Sequence, residues 1–371
     1  MKELNDILRK EMLAIRPYVQ GKPAEVVRRE LGLEKIEKLA SNENQFGPSP
    51  MAIDAMREEL SNLNFYPESF PYELVEKLSE KLGVAMDRFV VAGGGEALLW
   101  YISMAFLDEG DEIVTSSPTF DIYRLAASFL GANTVAVPLK GNDIDIEAMV
   151  AAITDKTKIF WLCTPNNPTG NIATKEQLDY IMKNVPEDVL LVLDEAYYEF
   201  ATARDDYPRE NIKLLEERKN IALLRTFSKI YGLAGARVGY IMTDPEIAKR
   251  ISSIMLTFGV NRLAQVGAKA ALDDDGYLES TIRKNKESVD FLEKYFEDKG
   301  WNYIPSYTNF CWVDCGLDSK KVFEDLQKKG VIIRPGFLWG YETCLRISTG
   351  TSEQMNYFAE KMDEVIAEWD S

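Results

Sequence analysis

Short apolar, β-branched runs alternate with stretches of helical periodicity between about residues 85 and 245. Such alternation is typical of repeated strand–helix–strand units, in which helices cover both faces of a mostly parallel sheet. We predict strands at residues 89–92, 112–115, 134–137, 159–163, 189–193, 221–224 and 238–242. The sequence therefore predicts an α/β fold with a doubly wound, mostly parallel sheet.

The pattern changes after about residue 250, where long helical stretches precede three short strands and a final helix. We predict these strands at residues 310–313, 331–333 and 345–347, and the helix at 352–369. This order is typical of a smaller α+β domain. We expect a large domain at residues 45–250, and a small domain with an N-terminal arm at residues 1–44 and 251–371. The arm shows no strand alternation, and we expect it to pack on the small domain.

The composition excludes several classes of protein. The 371 residues include no histidine, which excludes a Ser-His-Asp triad, a histidine base and a histidine metal ligand. The 43 basic residues oppose 60 acidic ones, so the net charge is −17. Because phosphate backbones and anionic membranes attract excess Lys and Arg, we expect neither a nucleic acid nor a membrane as a partner. An anionic ligand therefore needs a local basic pocket.

The cysteines indicate a reducing compartment. Cys163, Cys311, Cys315 and Cys344 show no Cys-x-x-Cys pair and no repeated metal-ligand spacing, so we expect reduced core residues and no metal site. The first 16 residues lack the apolar segment of a secretory signal. The longest apolar segment, 97–107, is shorter than the roughly 20 residues that cross a bilayer. We predict a cytoplasmic protein.

Polar or glycine-rich loops follow several predicted strands, and ligands of open parallel sheets bind beyond the carboxyl ends of the strands. Gly93, Gly94, Gly95 and Glu96 follow the first predicted strand and precede an apolar helix. Glycines let a backbone approach a ligand closely, and the free N–H groups of a helix N-terminus attract anions. A phosphate fits this loop, although a tight turn without a ligand explains the glycines about equally well.

Two further loops carry candidate side chains. Residues 164–170, Thr-Pro-Asn-Asn-Pro-Thr-Gly, follow the fourth predicted strand, and Asn167 among them can donate a hydrogen bond. Asp194 and Tyr197 follow the fifth strand in the string Asp-Glu-Ala-Tyr. A lone acid at a strand end is usually solvated or pairs with a helix cap, whereas the functional interpretation is a counter-ion for a buried cation.

Lys229 follows the sixth predicted strand, in the string Arg-Thr-Phe-Ser-Lys at residues 225–229. Most lysines are solvated surface charges, so a single lysine is a weak signal. This lysine comes after the hydroxyls of Thr226 and Ser228 and eight residues before Arg237. A lysine that is desolvated or close to another cation loses its proton more readily and becomes a nucleophile towards carbonyls.

Together these strings resemble the fold-type I pyridoxal-phosphate aminotransferases, and within them the histidinol-phosphate aminotransferase branch. The strings at 164–170, 194–197 and 228–237 are typical of the superfamily. Segments similar to the branch are Arg-Pro-Tyr at 16–18, Gly-Lys-Pro at 21–23, the string at 39–44, Gly-Pro-Ser-Pro at 47–50 and Phe-Tyr-Pro at 65–67. The resemblance covers nearly the whole chain, and it implies a homodimeric transaminase of histidine biosynthesis with shared active sites.

The resemblance implies roles for residues around the cofactor, pyridoxal 5′-phosphate. Lys229 would form the aldimine with the cofactor aldehyde and then act as the base, and Asp194 would pair with the ring nitrogen. Asn167 and Tyr197 would hydrogen-bond the phenolic oxygen, and Phe120 would stack on the ring. The cofactor phosphate would contact the backbone of Gly94, Gly95 and Glu96, the side chains of Thr226, Ser228 and Arg237, and Tyr66 of the partner subunit.

The resemblance also implies a substrate site. Arg346 would bind the substrate carboxylate, because the planar guanidinium group can hold a carboxylate through two hydrogen bonds. Arg346 alternates with apolar residues on a predicted strand, which also allows an exposed charge at a sheet edge. The family match and the need to place cations in a protein of net charge −17 favour the functional role. Tyr18 and Arg334 match positions that hold the phosphate of histidinol phosphate, and Asn44 belongs to the same implied set of substrate-binding residues.

Two departures from the family pattern keep other substrates open. The family usually has one more polar side chain in the glycine loop, and an arginine where this chain has Phe65. Residues 337–341, Phe-Leu-Trp-Gly-Tyr, are unusually aromatic. We expect amino transfer from L-histidinol phosphate, a small-molecule donor, to the 2-oxo acid 2-oxoglutarate. The alternatives are an aromatic amino-acid aminotransferase, a phosphothreonine decarboxylase-like lyase and, last, a non-catalytic binding module.

Overall fold

The structure is a computed structural model that describes residues 7–15 and 23–370. Its α-helices are α1 (Lys10–Ala14), α2 (Ala24–Leu31), α3 (Pro50–Glu59), α4 (Tyr72–Leu82), α5 (Gly95–Phe106), α6 (Ile122–Leu130), α7 (Ile146–Ala151), α8 (Lys175–Asn184), α9 (Tyr198–Ala201), α10 (Leu214–Glu217), α11 (Pro245–Ser252), α12 (Arg262–Ala271), α13 (Asp275–Lys299), α14 (Ser319–Lys328) and α15 (Ser352–Asp370). Its strands are β1 (Glu37–Lys38), β2 (Phe89–Ala92), β3 (Glu112–Ser117), β4 (Asn133–Pro138), β5 (Thr157–Cys163), β6 (Leu190–Asp194), β7 (Ile221–Thr226), β8 (Gly239–Thr243), β9 (Asn302–Ile304), β10 (Phe310–Asp314), β11 (Val331–Ile332), β12 (Arg334–Pro335) and β13 (Cys344–Ser348).

The strands β2 to β8 form the central sheet, in the spatial order β2-β8-β7-β6-β5-β3-β4. Only β8 runs antiparallel to its neighbours β2 and β7 in this sheet, and the remaining pairs are parallel. The observed strands begin and end within about two residues of the predicted ones. The predicted α/β fold with a mostly parallel sheet is confirmed.

The central sheet is buried on both faces, which explains the continuous apolar runs in its strands. Along β5, Phe160 and Leu162 pack into the core on one face, whereas Trp161 and Cys163 pack into the core on the other. This alternation follows from the two-residue period of a β-strand. Because helices cover both faces of the sheet, a ligand can reach it only beyond the ends of the strands.

The small sheet is antiparallel, in the order β12-β13-β10-β9, and β1 and β11 form a separate parallel pair. Helices α13, α14 and α15 cover the four-stranded sheet, through side chains that include Phe296, Leu326 and Phe358. The predicted strand at 331–333 corresponds to β11, and the short strands β1, β9 and β12 were not predicted. The division of the chain at residues 45 and 250 stays a prediction.

The N-terminal arm packs in two places. The strand β1 pairs with β11, and Val27 of α2 packs against Ala40 and Ile332, so this part lies on the small domain as expected. The short helix α1 lies elsewhere, against α6 of the large domain, where Arg9 donates a hydrogen bond to the carbonyl of Phe129 at 3.0 Å. The expected packing therefore fails for α1, because a local cation–carbonyl contact holds it to the large domain. Within the described ranges, no helix combines the length and apolarity that a membrane span requires.

Candidate active site

A cavity of about 260 Å³ lies beyond the carboxyl ends of β5, β6 and β7. It is lined by these residues of the predicted site: Gly95, Glu96, Phe120, Asn167, Asp194, Tyr197, Thr226, Ser228, Lys229 and Arg237. Ser41 and Glu43, from the segment before α3, complete one wall. The structure thus brings together side chains from loops that the sequence separates by more than 100 residues.

One end of the cavity has the features of an anion site. The helix α5 begins at Gly95, and its N-cap residue, Gly94, supplies no side-chain cap, so the first N–H groups of the helix are open to a ligand. Gly94 has φ of 101°, and a Cβ atom built there would lie 2.5 Å from Nη2 of Arg237. Only glycine therefore lets this guanidinium group approach the loop so closely. The hydroxyl groups of Thr226 and Ser228 line the same end.

Asp194 is the last residue of β6 and is almost completely buried. Its Oδ2 accepts a hydrogen bond from the hydroxyl of Tyr123 at 2.6 Å, and its Oδ1 accepts one from the N–H of Ala196 at 3.1 Å. Burial raises the pKa of Asp194, and these two hydrogen bonds oppose the rise. A cation bound next to the carboxylate would lower the pKa again and would be strongly held.

Lys229 is half-buried in the cavity, between the anion site and the small domain. Its Nζ donates a hydrogen bond to the carbonyl of Asn42 at 3.4 Å and lies 5.5 Å from the ring centre of Tyr197. Desolvation, together with the nearby charge of Arg346, lowers the pKa of Lys229 to about 8. A sizeable fraction of this amine is therefore neutral near physiological pH, as a nucleophile requires.

The other end of the cavity is held by hydrogen bonds around Arg346. Its Nη1 donates to Oδ1 of Asn167, and its Nη2 donates to the carbonyl of Ala40 at 2.5 Å. The hydroxyl of Tyr197 accepts a hydrogen bond from Nδ2 of Asn42 at 2.9 Å. Burial raises the pKa of Tyr197, so its hydroxyl keeps its proton and can donate to a ligand oxygen.

Arg334 lies beside Arg346, because the strands β12 and β13 pair these two residues directly. Both side chains are buried, so Arg346 is not the exposed edge charge that the sequence alone allowed. Two buried guanidinium groups next to each other favour a ligand that carries more than one negative charge.

Comparison with known proteins identifies the family. The family model for aminotransferase class I and II matches residues 34–362. The chain belongs to this family. The histidinol-phosphate aminotransferase of Moorella thermoacetica is 44% identical over 359 residues, which cover 97% of this aminotransferase and 93% of that protein. Histidinol-phosphate aminotransferase 2 of Carboxydothermus hydrogenoformans is 40% identical, with 97% and 99% covered.

A solved structure agrees with this assignment. The crystal structure of the histidinol-phosphate aminotransferase of Sinorhizobium meliloti, in complex with pyridoxal 5′-phosphate, matches this aminotransferase with a TM-score of 0.90. The two sequences are 31% identical, and 98% of each chain is covered. The fold and the family expected from the sequence strings are confirmed.

Besides Gly94, Arg334 and Arg346, three predicted residues of this aminotransferase are not among those lining the cavity. Asn44 donates hydrogen bonds to the carbonyl of Ile230 at 2.8 Å and to the hydroxyl of Tyr277 at 2.9 Å, and so connects loops beside the cavity. Tyr66 is 79% exposed and stacks on Phe258, with ring centres 4.7 Å apart. Tyr18 lies outside the described residues. The roles of all three stay predictions.

Sequence reasoning missed Asn42 and Tyr123, although both touch predicted site residues. Asn42 has a φ of 55°, a left-handed conformation that asparagine tolerates better than most residues. This conformation lets its carbonyl accept from Lys229 while its Nδ2 donates to Tyr197. The string at 39–44 was a usable signal for Asn42, whereas Tyr123 looks like an ordinary core residue of an amphipathic helix.

Proposed function

We propose that this chain is a pyridoxal-phosphate-dependent histidinol-phosphate aminotransferase, which transfers an amino group from L-histidinol phosphate to 2-oxoglutarate. The observation that carries the proposal is the position of Lys229, whose amine lies between an open helix N-terminus and a pair of buried arginines. Relatives that bear this enzyme's name and match nearly the whole chain support the choice of substrate.

The anion site fits the phosphate group of the cofactor. The N–H groups at the start of α5 and the guanidinium group of Arg237 would bind its oxygens, and the hydroxyls of Thr226 and Ser228 would complete the set. The N–H of Ser228 already donates to Oγ1 of Thr226 at 3.1 Å, which holds the Thr226 hydroxyl beside the backbone of Ser228.

The middle of the cavity fits the aromatic ring of the cofactor. Asp194 would hold the ring nitrogen in its protonated form, and the buried carboxylate already has its second oxygen fixed by Tyr123. Asn167 and Tyr197 would donate hydrogen bonds to the ring oxygen, and Phe120 would cover the ring face. Bound in this way, pyridoxal phosphate withdraws electrons from the α-carbon of the amino donor and makes its proton acidic.

Lys229 would move the proton during the reaction. Its Nζ would take the proton from the α-carbon of the donor and hold it until it is returned during amino transfer. A pKa of about 8 suits this task, because the amine can both accept and release a proton near neutral pH. In a chain without histidine, this amine takes the place of the usual base.

The arginine pair would bind the charged groups of both substrates. L-Histidinol phosphate carries a doubly charged phosphate and no carboxylate, whereas 2-oxoglutarate carries two carboxylates. Arg346 would meet the group nearest the reacting carbon, and Arg334 would supply the second positive charge. Tyr18 and Asn44 stay predicted members of this substrate site.

An aromatic amino-acid aminotransferase is the second candidate. Trp339 and Tyr341 pack against Trp312 with ring centres 5.8 and 5.7 Å apart, and this aromatic cluster adjoins the arginine pair. Such a surface could receive the ring of phenylalanine or tyrosine.

We also propose that two copies of the chain form a homodimer with shared active sites. Four large apolar side chains are exposed close together in sequence or space: Phe65, Tyr66, Leu256 and Phe258. Exposed large apolar side chains of this kind are typical of a protein interface. In the dimer, Tyr66 would reach the cofactor phosphate of the other copy.

Phe65→Glu together with Leu256→Glu should then give a monomer in analytical ultracentrifugation, whereas an unchanged sedimentation coefficient would contradict this interface.

We propose a cytoplasmic location, which the state of the cysteines supports. Cys163, Cys311, Cys315 and Cys344 are free and buried, which suits a reducing compartment.

A panel of amino donors tests the proposed function. The protein, supplied with excess pyridoxal phosphate, is assayed with L-histidinol phosphate, phenylalanine, tyrosine and aspartate, and with 2-oxoglutarate as the acceptor. We expect the highest kcat/KM with L-histidinol phosphate. A higher value with phenylalanine or tyrosine would replace this proposal by the aromatic aminotransferase.

A further inference from the structure

A single row of paired residues crosses the four-stranded sheet from β9 to β12. Ile304 pairs with Trp312, Trp312 with Arg346, and Arg346 with Arg334. Side chains at directly paired positions of antiparallel strands point to the same face of the sheet. Two arginines and a tryptophan therefore lie side by side on one surface.

The two arginines of this row should repel each other. Like charges at directly opposed positions destabilise a sheet, and Arg334 and Arg346 are each only 4% exposed, so water screens them poorly. Asp121 is near enough for both to act on it: burial raises the pKa of Asp121, and the charges of Arg124, Arg334 and Arg346 oppose the rise. A ring face offers guanidinium groups a further attractive contact.

Trp339 supplies that contact to both arginines. Its ring centre lies 5.7 Å from Cζ of Arg334 and 5.5 Å from Cζ of Arg346, both within the distance of about 6 Å at which a ring face attracts a cation. Trp339 is the last residue of the 3₁₀ turn Gly336–Trp339, which follows β12 directly. An edge contact with Trp312, at 5.8 Å and 76°, fixes the orientation of the indole.

We propose that Trp339 is a positioning residue that determines specificity, because its indole holds Arg334 and Arg346 together for substrates with two negative charges. The expected substrates are phosphate monoesters and dicarboxylic 2-oxo acids, in preference to amino or oxo acids with a single carboxylate. This inference rests on the proposed function, because it assigns the substrate class of the same site. It also gives the aromatic segment at 337–341 a role other than binding an aromatic substrate.

The test compares Trp339→Leu with Tyr341→Leu. Tyr341 also packs edge-on against Trp312, at 5.7 Å and 80°, and so controls for the loss of an aromatic contact in the same cluster. Each variant is assayed with L-histidinol phosphate and phenylalanine as donors, and with 2-oxoglutarate and pyruvate as acceptors. Trp339→Phe, which keeps a smaller ring, is the conservative variant.

For Trp339→Leu we expect KM to rise about tenfold for L-histidinol phosphate and 2-oxoglutarate, with kcat within about twofold of the wild type. KM for phenylalanine and pyruvate should change by no more than about twofold. Trp339→Phe should restore most of the loss, because a phenyl ring also attracts cations. Tyr341→Leu should leave the preference for doubly charged substrates unchanged.

Three outcomes would overturn the inference: equal losses for singly and doubly charged substrates, a fall in kcat without a change in KM, or the same pattern in Tyr341→Leu. If Trp339→Leu does not fold, Trp339→Phe should show the same selective rise in KM at about two- to fourfold, and its absence would overturn the inference.

A wild type that does not use L-histidinol phosphate would refute the proposed function. The comparison of 2-oxoglutarate with pyruvate would then decide the role of Trp339 independently.

Discussion

The two ends of the cavity differ in how the chain builds them. At the cofactor end, Lys229, Asp194 and the glycine loop all lie at or just after strand ends of one mostly parallel sheet. At the substrate end, Arg334 and Arg346 lie on a separate antiparallel sheet, and contacts with other segments hold them in place. The topology of the fold sets the first end, whereas side-chain contacts between distant segments set the second.

The cofactor end would therefore carry out the reaction, and the substrate end would recognise the substrate. Because the groups at the cofactor end are held by the backbone of the large sheet, changes at the substrate end should leave cofactor binding intact. Changes at the cofactor end should remove activity with every substrate. Substitutions at each end, and the pH dependence of cofactor uptake, test that separation.

Lys229→Ala should remove the reaction with all substrates. We expect kcat to fall at least about 10⁴-fold, because the variant would lose both the proposed covalent attachment and the proposed base. The yellow colour of the protein with its cofactor should disappear as well, as measured by absorbance. Lys175→Ala is the control, since Lys175 is an exposed lysine that pairs with Asp179, and it should behave as the wild type. Normal activity in Lys229→Ala would contradict the proposed role of Lys229.

Asp194→Asn should slow the reaction while keeping the shape of the site. The loss of the charge next to the ring nitrogen should lower kcat about 10²- to 10³-fold with every donor. Tyr123→Phe, which removes only the hydrogen bond to Oδ2, should cost far less. A selective loss for one donor would mean that Asp194 acts in recognition, against the separation of the two ends.

Arg346→Lys should affect recognition alone. Lysine cannot reproduce the two-pronged hydrogen bonding of a guanidinium group, so KM for 2-oxoglutarate should rise about 10²-fold. The variant should still bind the cofactor, as measured by absorbance. Loss of the cofactor in this variant would show that the two ends are not independent.

The rate at which cofactor-free protein takes up the cofactor should rise with pH and then level off. The neutral form of the Lys229 amine is the one that would react with the cofactor aldehyde, and the pKa of this amine is lowered to about 8. Below that pH the amine is protonated, so the rate of colour formation in cofactor-free protein should fall about tenfold per pH unit, and above it the rate should level off. Stopped-flow absorbance between pH 6 and 10 measures this, and a midpoint near the ordinary lysine value of 10.5 would contradict a desolvated amine.

The same contrast explains which parts could be predicted from the sequence. The strands of the central sheet were predictable because burial on both faces requires continuous apolar runs, as in β5 and β6. The candidate loops followed because each begins where such a run ends. Lys229 and Asp194 were therefore found from local sequence, before any tertiary contact was known.

The remaining features depend on contacts between residues far apart in sequence. The strand β1 has two residues and exists only through its pairing with β11, about 300 residues later. Asn42 meets Tyr197 across 155 residues, and the register of β12 and β13 makes Arg334 and Arg346 neighbours. The N-terminal arm was predicted to pack on the small domain, whereas α1 packs on α6, again through contacts between residues far apart in sequence.

Borohydride reduction followed by peptide mapping tests the central claim most directly. Reduction of the protein with its bound cofactor fixes the cofactor to the side chain that holds it, and mass spectrometry then locates the label. The account predicts one labelled residue, Lys229, and no label in Lys229→Ala. A label on another lysine of the wild type, or none at all, would contradict it.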